Sequence, residues 1–132
     1  MTVQYSVAVR NGMLDSIETS TGAAAKLMMY SGAQPANCAA AASGTLLLTM
    51  SLPSDWMNAA SAGTKTLSGS WTVACSTGGT AAHYRITDTA GTTCHEQGSV
   101  GVSGTDIVLD NNVMTATQVV TITAKTITAG NA

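Results

Sequence analysis

The chain has 132 residues, of which 45% are apolar, 9% charged and 4% aromatic, with a formal net charge of −2 and no Phe. The apolar figure overstates the core-forming set: Val, Ile, Leu, Met, Trp and Tyr number 35, and the rest is 21 Ala and 3 Cys. Ala, Ser, Thr and Gly make up 68 positions, so about half the chain carries short side chains unsuited to acid–base or phosphate chemistry. The five basic residues, Arg10, Lys26, Lys65, Arg85 and Lys125, stand singly. That spacing offers no electrostatic footprint for nucleic acid and none for an anionic membrane. The longest strongly apolar runs, near residues 27–30 and 46–48, fall far short of the roughly 20 residues a membrane span needs. Residues 1–10 lack the basic and apolar regions of a signal peptide, so a soluble chain made in the cytosol is expected. Length and low net charge together predict one folded domain, residues 1–132.

Residues 5–20 read as the only helix, with Val9, Met13, Leu14 and Ile17 forming an apolar stripe and Arg10, Asn11, Asp15 and Glu18 the wet face. Ser20, Thr21 and Gly22 supply the stop, Gly22 as a left-handed cap. Strands follow across residues 25–128. Residues 25–30 and 44–52 are apolar runs closed by Ser31-Gly32 and Pro53. Between them, residues 33–43 hold Pro35 and the Ala39 to Ala42 run, too short for a helix and read as loop. Further strands are expected at 71–75, 83–88, 92–100 and 105–109, with Asp88 to Thr92 as a hairpin connection. Residues 118–128 form the last strand, with Val120 and Ile122 facing inward and Lys125 on the opposite side. Short strands separated by Gly, Ser and Thr turns predict a mainly β fold: an antiparallel β-sandwich or jelly-roll-like small barrel with one N-terminal α-helix. No βαβ alternation supports a parallel sheet.

Cys38, Cys75 and Cys94 are odd in number and match no disulfide framework or zinc spacing. A metal set of Cys94, His95, Glu96 and His83 is disfavoured because adjacent strand residues point to opposite faces. No metal or cofactor is therefore expected. The seven carboxylates, Asp15, Glu18, Asp55, Asp88, Glu96, Asp106 and Asp110, read as helix-surface and turn residues rather than as a catalytic pair. No G-x-S-x-G elbow is present, and Gly78-Gly79 has no following Lys to cradle phosphate. The expectation is a protein that is not an enzyme.

Apolar residues in polar surroundings are more informative. Trp56 and Met57 sit in a connection that is otherwise Ala-rich and polar. Trp56 is either a lid on the end of the sandwich or a contact with another chain. Trp71, inside a strand, reads as core. Met28 and Met29 are strand neighbours that face opposite ways, so one face must be covered by the helix or by a partner. With Tyr5 in the N-terminal arm, the candidate interface is Tyr5, Met28, Met29, Trp56 and Met57. A surface with few charges and edge strands rich in Thr and Val suits self-association or assembly.

Three stretches, Arg10-Asn11-Gly12-Met13-Leu14-Asp15-Ser16-Ile17, Ala25-Lys26-Leu27 leading to Tyr30-Ser31-Gly32-Ala33-Gln34-Pro35-Ala36, and Gly44-Thr45-Leu46-Leu47, resemble small virion structural proteins encoded by tailed bacteriophages. His83-Tyr84-Arg85-Ile86-Thr87-Asp88, Gly91-Thr92 and Gly98-Ser99-Val100-Gly101 look like the central hairpin of the same family. Cys94-His95 departs from the apolar pair expected in that hairpin. The resemblance implies a β-rich accessory protein that decorates and cements the capsid shell, with the major capsid protein or other virion proteins as partners. It implies no catalytic residue, and it places the protein in virions assembled in the host cytoplasm. A tail, collar or fibre component, including a glycan-binding adhesin using Trp56, Trp71 or Tyr84, is the alternative.

Overall fold

The computed structural model describes residues 2–131. Helix α1 (Val7–Thr21) is followed by strands β1 (Lys26–Tyr30), β2 (Leu46–Ser51), β3 (Thr64–Thr66), β4 (Trp71–Ala74), β5 (Gly79–Thr80), β6 (His83–Thr87), β7 (Cys94–Gly101), β8 (Ile107–Val108), β9 (Val113–Met114), β10 (Val119–Ile122) and β11 (Thr126–Thr128). The fold is mainly β, a curled half-barrel with one N-terminal helix, as the strand and turn pattern predicts. Its main sheet runs β2-β1-β6-β7-β8, and three two-stranded ribbons, β10-β4, β11-β3 and β5-β9, complete it. All pairings are antiparallel except the two-residue match of β8 to β7, a departure from the all-antiparallel expectation.

The inner face of the main sheet carries the core. Leu27 and Met29 of β1 are buried, and Ile86 and Tyr84 stand opposite them on β6. Leu48 and Met50 of β2 extend this face, and buried Trp56 and Trp71 join the same core, with the two indoles tilted at 48° and their centroids 6.0 Å apart. Both indole N–H groups find carbonyls, Trp56 on Gly22 at 3.0 Å and Trp71 on Ser68 at 3.1 Å, so neither ring buries an unpaired donor. Val120 and Ile122 also face inward, as their alternation predicts.

The outer face of the same sheet is covered by the chain itself. Residues 31–45 form a loop whose ends meet, the arrangement of an Ω-loop. Ser31 N–H donates to Thr45 O at 3.0 Å, Thr45 N–H to Ser31 Oγ at 2.9 Å, and Ser43 Oγ to Ala33 O at 2.5 Å. At this neck the backbones of Gly32 and Gly44 cross so closely that a Cβ on either would collide with the other strand of the neck. Gly44 also has φ of 77°, so only glycine fits without strain. Polar side chains rising from the sheet hold the loop down: Gln97 Nε2 donates to Pro35 O at 2.8 Å, Arg85 to Ala40 O at 2.6 Å, and His83 Nδ1 lies 2.6 Å from Gly32 O. The His83 ring also stacks on Tyr30, with centroids 5.0 Å apart. This cover explains why β6 is buried at all five positions despite its His, Arg and Thr.

Two bulges set which side chains face which way. Leu47 is skipped between the Met29–Leu48 and Tyr30–Leu46 pairs, and His95 between Thr87–Cys94 and Ile86–Glu96. An extra residue in one strand reverses the faces of the residues beyond it. Cys94 therefore lies on the outer face while Glu96 lies on the inner one. The expected long strand over 118–128 is broken at residues 123–125. There Lys125, expected at the surface, is buried, with its ammonium on Glu96 at 2.8 Å and on the Tyr84 hydroxyl at 3.0 Å.

The helix departs most from expectation. Its bounds agree closely, with Ser6 Oγ capping Val9 N–H at 3.2 Å and Gly22, at φ of 95°, closing it on Glu18 O at 2.8 Å. Its orientation does not agree. Leu14 is buried and Ile17 packs on the core, but Val9 and Met13 are 47% and 51% exposed. The inward face is mixed: Leu14, Ile17 and Thr21 lie along it, and Arg10, Asn11, Asp15 and Glu18 flank them.

Candidate functional site

The polar face of α1 is ordered by the segment beneath it, residues 57–65. Asn11 Oδ1 accepts from Gly63 N–H at 2.9 Å, Asp15 Oδ1 from Ala60 N–H at 2.8 Å, and Glu18 Oε1 from Met57 N–H at 2.9 Å. Arg10 donates to Ala129 O at 3.3 Å. At the centre, the Lys65 ammonium lies 2.8 Å from Asp15, 2.9 Å from Glu18 and 2.8 Å from Asn58 O. Lys65 is buried, so it needs these partners to remain charged. Asp15, Glu18 and Asn11 follow helical spacing on one face, which is why a single lysine from β3 can meet two carboxylates. The N–H groups of an irregular loop act together with burial of Leu14 and Ile17 to set which side of the helix faces in.

The consequence is a helix whose expected apolar stripe is split, Leu14 and Ile17 facing in and Val9 and Met13 facing out. Arg10, Asp15 and Glu18, its only charged residues, are all engaged inward. The outward stripe is uncharged, Val9 and Met13 flanked by Gly12, Ser16 and Ser20, and no atom lies near Gly12 on that side. The arm that leads into it adds Val3, Tyr5 and Val7, which are 64%, 39% and 50% exposed. Tyr5 is held in place by its N–H, 2.6 Å from Asn131 O. This arm and helix face are the candidate contact surface.

Of the expected interface residues, Tyr5 lies on that surface. Met28 is half-buried on the sheet's outer face, beside the 31–45 loop. Met29, Trp56 and Met57 are buried in the core, so none of them presents a free surface in this fold. Trp56 is a lid: it bridges the end of α1 to the sandwich through Gly22. Trp71 and Tyr84 are buried as well, which removes the aromatic platform a glycan site would have used. Sequence reasoning assigns Val9 and Met13 to the core, whereas both are about half exposed. The signal that marks them is the i, i+4, i+7 spacing of Asn11, Asp15 and Glu18, a polar face as regular as the apolar one.

A second buried network lies on the inner face of the main sheet. Glu96 accepts from Lys125 at 2.8 Å and from the Tyr84 hydroxyl at 2.6 Å. Burial first, and the Glu96 charge second, push the Tyr84 phenol up, so it stays a donor. Lys125 also sits 5.0 Å from the Tyr84 ring centroid, a cation–π distance. Gly98 is required alongside: a Cβ there would lie 2.6 Å from the Tyr84 ring. The network reads as structural glue, since every member is turned to another member.

Two carboxylates give the fold an acid dependence. The Lys65 hydrogen bond and then the Ala60 N–H hold Asp15 below the ordinary value of 3.8. The N–H groups of Thr92 and Thr93 do the same for Asp88 at the β6–β7 turn. A depressed folded-state pKa contributes stability above 3.8 that is lost as pH falls through the lower folded value. For Lys65, burial lowers proton affinity, but the hydrogen bonds to Asp15 and Glu18 outweigh it and the net value is raised above 10.5. Its contribution is present below 10.5 and lost only as pH rises through the elevated value. The melting temperature is expected to stay nearly level between pH 5 and about 9 and to fall steeply below about pH 4. Differential scanning calorimetry across pH checks this, and Asp88→Asn should shallow the acid limb.

Searches of protein-family models, curated proteins and solved structures return no significant match to this chain. Among the described residues no group of three or more His, Cys, Asp or Glu could hold a metal ion, and no helix is long and apolar enough to cross a membrane.

Proposed function

We propose that this chain is a structural protein of a tailed-bacteriophage particle, a decoration or cement subunit that binds the head shell through protein–protein contacts and has no catalytic role. The observation that carries the reading is the outer stripe of α1: the helix charges are engaged on its inner side, and uncharged, half-exposed Val9 and Met13 face out beside small residues. The inward contacts of the helix hold the isolated chain together, and the uncharged stripe they leave outside gives a subunit of an assembly a ready contact face with little to desolvate. Gly12 and Ser16 allow a partner backbone to approach closely. The virion assignment itself rests on the sequence resemblance. Many weak contacts repeated over a lattice would bind such a subunit firmly.

Particles of the parent phage stripped of this protein, re-incubated with purified chain, test the reading. The natural chain is expected to rebind to saturation. Val9→Asp combined with Met13→Asp is expected to weaken rebinding by about 100-fold or more, because two buried charges oppose docking. Both positions are solvent-exposed in the isolated chain, so the melting temperature should move by only a degree or two. Full rebinding of the double variant would overturn the assigned face, and no rebinding by the natural chain would overturn the virion reading.

A further inference from the structure

We propose that Cys38 and Cys94 are a disulfide-forming pair, a redox staple that ties the 31–45 loop to the main sheet when the chain meets an oxidising disulfide. Both are free and half-buried, and both line one cavity of about 300 Å³ beneath the loop, together with Met28, Tyr30 and Arg85. The His95 bulge is what leaves Cys94 on this outer face rather than turned elsewhere.

The loop already holds Cys38 where it must be. Arg85 donates to Asn37 O at 3.4 Å and to Ala40 O at 2.6 Å, gripping the backbone on both sides of Cys38. The Asn37 side chain caps the same turn, accepting from Ala39 N–H at 2.9 Å and Ala40 N–H at 3.0 Å. Cys94 Sγ, at rest, donates to Glu96 O at 3.3 Å, and Cys38 lines the same cavity from the loop side. The cavity between loop and sheet leaves room for the rotamer changes that bring the sulfurs together. Cys75 is different in kind: it is buried, its Sγ rests 3.3 Å from Met114 Sδ, and it lines no part of this cavity. The odd cysteine count therefore resolves into one pair and one buried spectator.

The oxidant is a low-molecular-weight disulfide such as oxidised glutathione. The Cys38 thiolate attacks one glutathione sulfur, the glutathione S–S bond breaks, and the first glutathione leaves with the electron pair and takes up a proton. Cys94 then gives up its proton and attacks the Cys38 sulfur of the mixed disulfide, expelling the second glutathione as a thiol. Two protein thiols are oxidised to one disulfide, and one glutathione disulfide is reduced to two thiols. Burial, then the neighbouring Cys38, push the Cys94 thiol up to about 12, with Arg85 offsetting only part of this. Once Cys38 is in the mixed disulfide its share of that shift is gone, but burial still holds Cys94 protonated, so the second step accelerates as pH rises.

The test uses the natural full chain, reduced, folded and incubated with oxidised glutathione at about pH 8.5. The expected product has lost two hydrogens by intact mass, and non-reducing peptide mapping recovers a Cys38–Cys94 cross-link with Cys75 still alkylatable. Its melting temperature rises by about 10 °C and falls back on addition of dithiothreitol. Cys38→Ser should abolish the cross-link and Cys75→Ala should leave it intact. Persistent glutathione adducts, an unchanged mass with all three thiols alkylatable, or a cross-link that includes Cys75 would overturn the pairing. The mass and mapping arms need no variant, so misfolding of a cysteine mutant leaves the result readable.

Discussion

Trp56→Ala is expected to lower the melting temperature by about 10–15 °C, corresponding to about 4 kcal/mol for a fully buried indole removed from a packed core. The residue is completely buried against Trp71 and carries the hydrogen bond that ties the end of α1 to the sandwich. Truncation leaves a cavity between the indole site and the sheet and an unpaired Gly22 carbonyl. Trp56→Phe should cost about half as much, since it refills most of the volume but not the hydrogen bond. Calorimetric unfolding of the three proteins checks both values. A change of only a degree or two for Trp56→Ala would show that the indole is not a lid and would return it to the surface.

Lys65→Met is the second large effect, at about 2 kcal/mol. The substitution keeps the apolar stem and removes the ammonium, leaving the Asp15 and Glu18 carboxylates facing each other and Asn58 O without its donor. The loss is smaller than for a wholly buried pair because the Asp15 side chain is 46% exposed and water screens it. The pH dependence identifies the cause. In the natural chain acid removes a favourable interaction, whereas in Lys65→Met acid neutralises a repulsion, so the deficit shrinks as pH falls through the carboxylate range. Adding Asp15→Asn and Glu18→Gln should restore most of the lost stability at pH 7. Urea unfolding at pH 7 and about pH 4 distinguishes the outcomes, and a deficit independent of pH would mean the ammonium acts only by packing.

How much of the structure is legible in the sequence depends on how local the deciding interaction is. The strands at 71–75 and 83–88, the inward pair Val120 and Ile122, the Asp88 turn, the Gly22 stop and the loop at 33–43 are written in neighbouring residues, and they stand where expected. The orientation of α1 is not local. It results from three backbone N–H groups and Lys65, which lie some 40 to 50 residues along the chain in a segment with no apolar period. Hydrophobicity alone places Leu14 and Ile17 correctly against the core but also turns Val9 and Met13 inward, where they do not lie. The His95 and Leu47 bulges are equally invisible, because a one-residue shift in pairing leaves no mark on composition. Strict alternation turns Lys125 outward, and its burial becomes intelligible only once the bulge has turned Glu96 inward to meet it.

For the candidate surface, Trp56 carries two readings because its partner, Gly22, is distant in sequence, and burial selects the lid. Met28 and Met29 do face opposite ways, but the cover over Met28 is the chain's own loop rather than the helix or a second protein. The exposed apolar face that remains, the Val3–Met13 arm and helix, combines one expected residue, Tyr5, with four that sequence alone assigns to the core or passes over.

The central claim is that the outward face of α1 is a contact surface in a phage particle, and cryo-electron microscopy of the parent virion tests it most directly. Repeated copies of this fold are expected on the head shell, with Val9 and Met13 buried against a neighbouring chain. Copies whose α1 stripe faces solvent, or a particle that contains none of this fold, would contradict it.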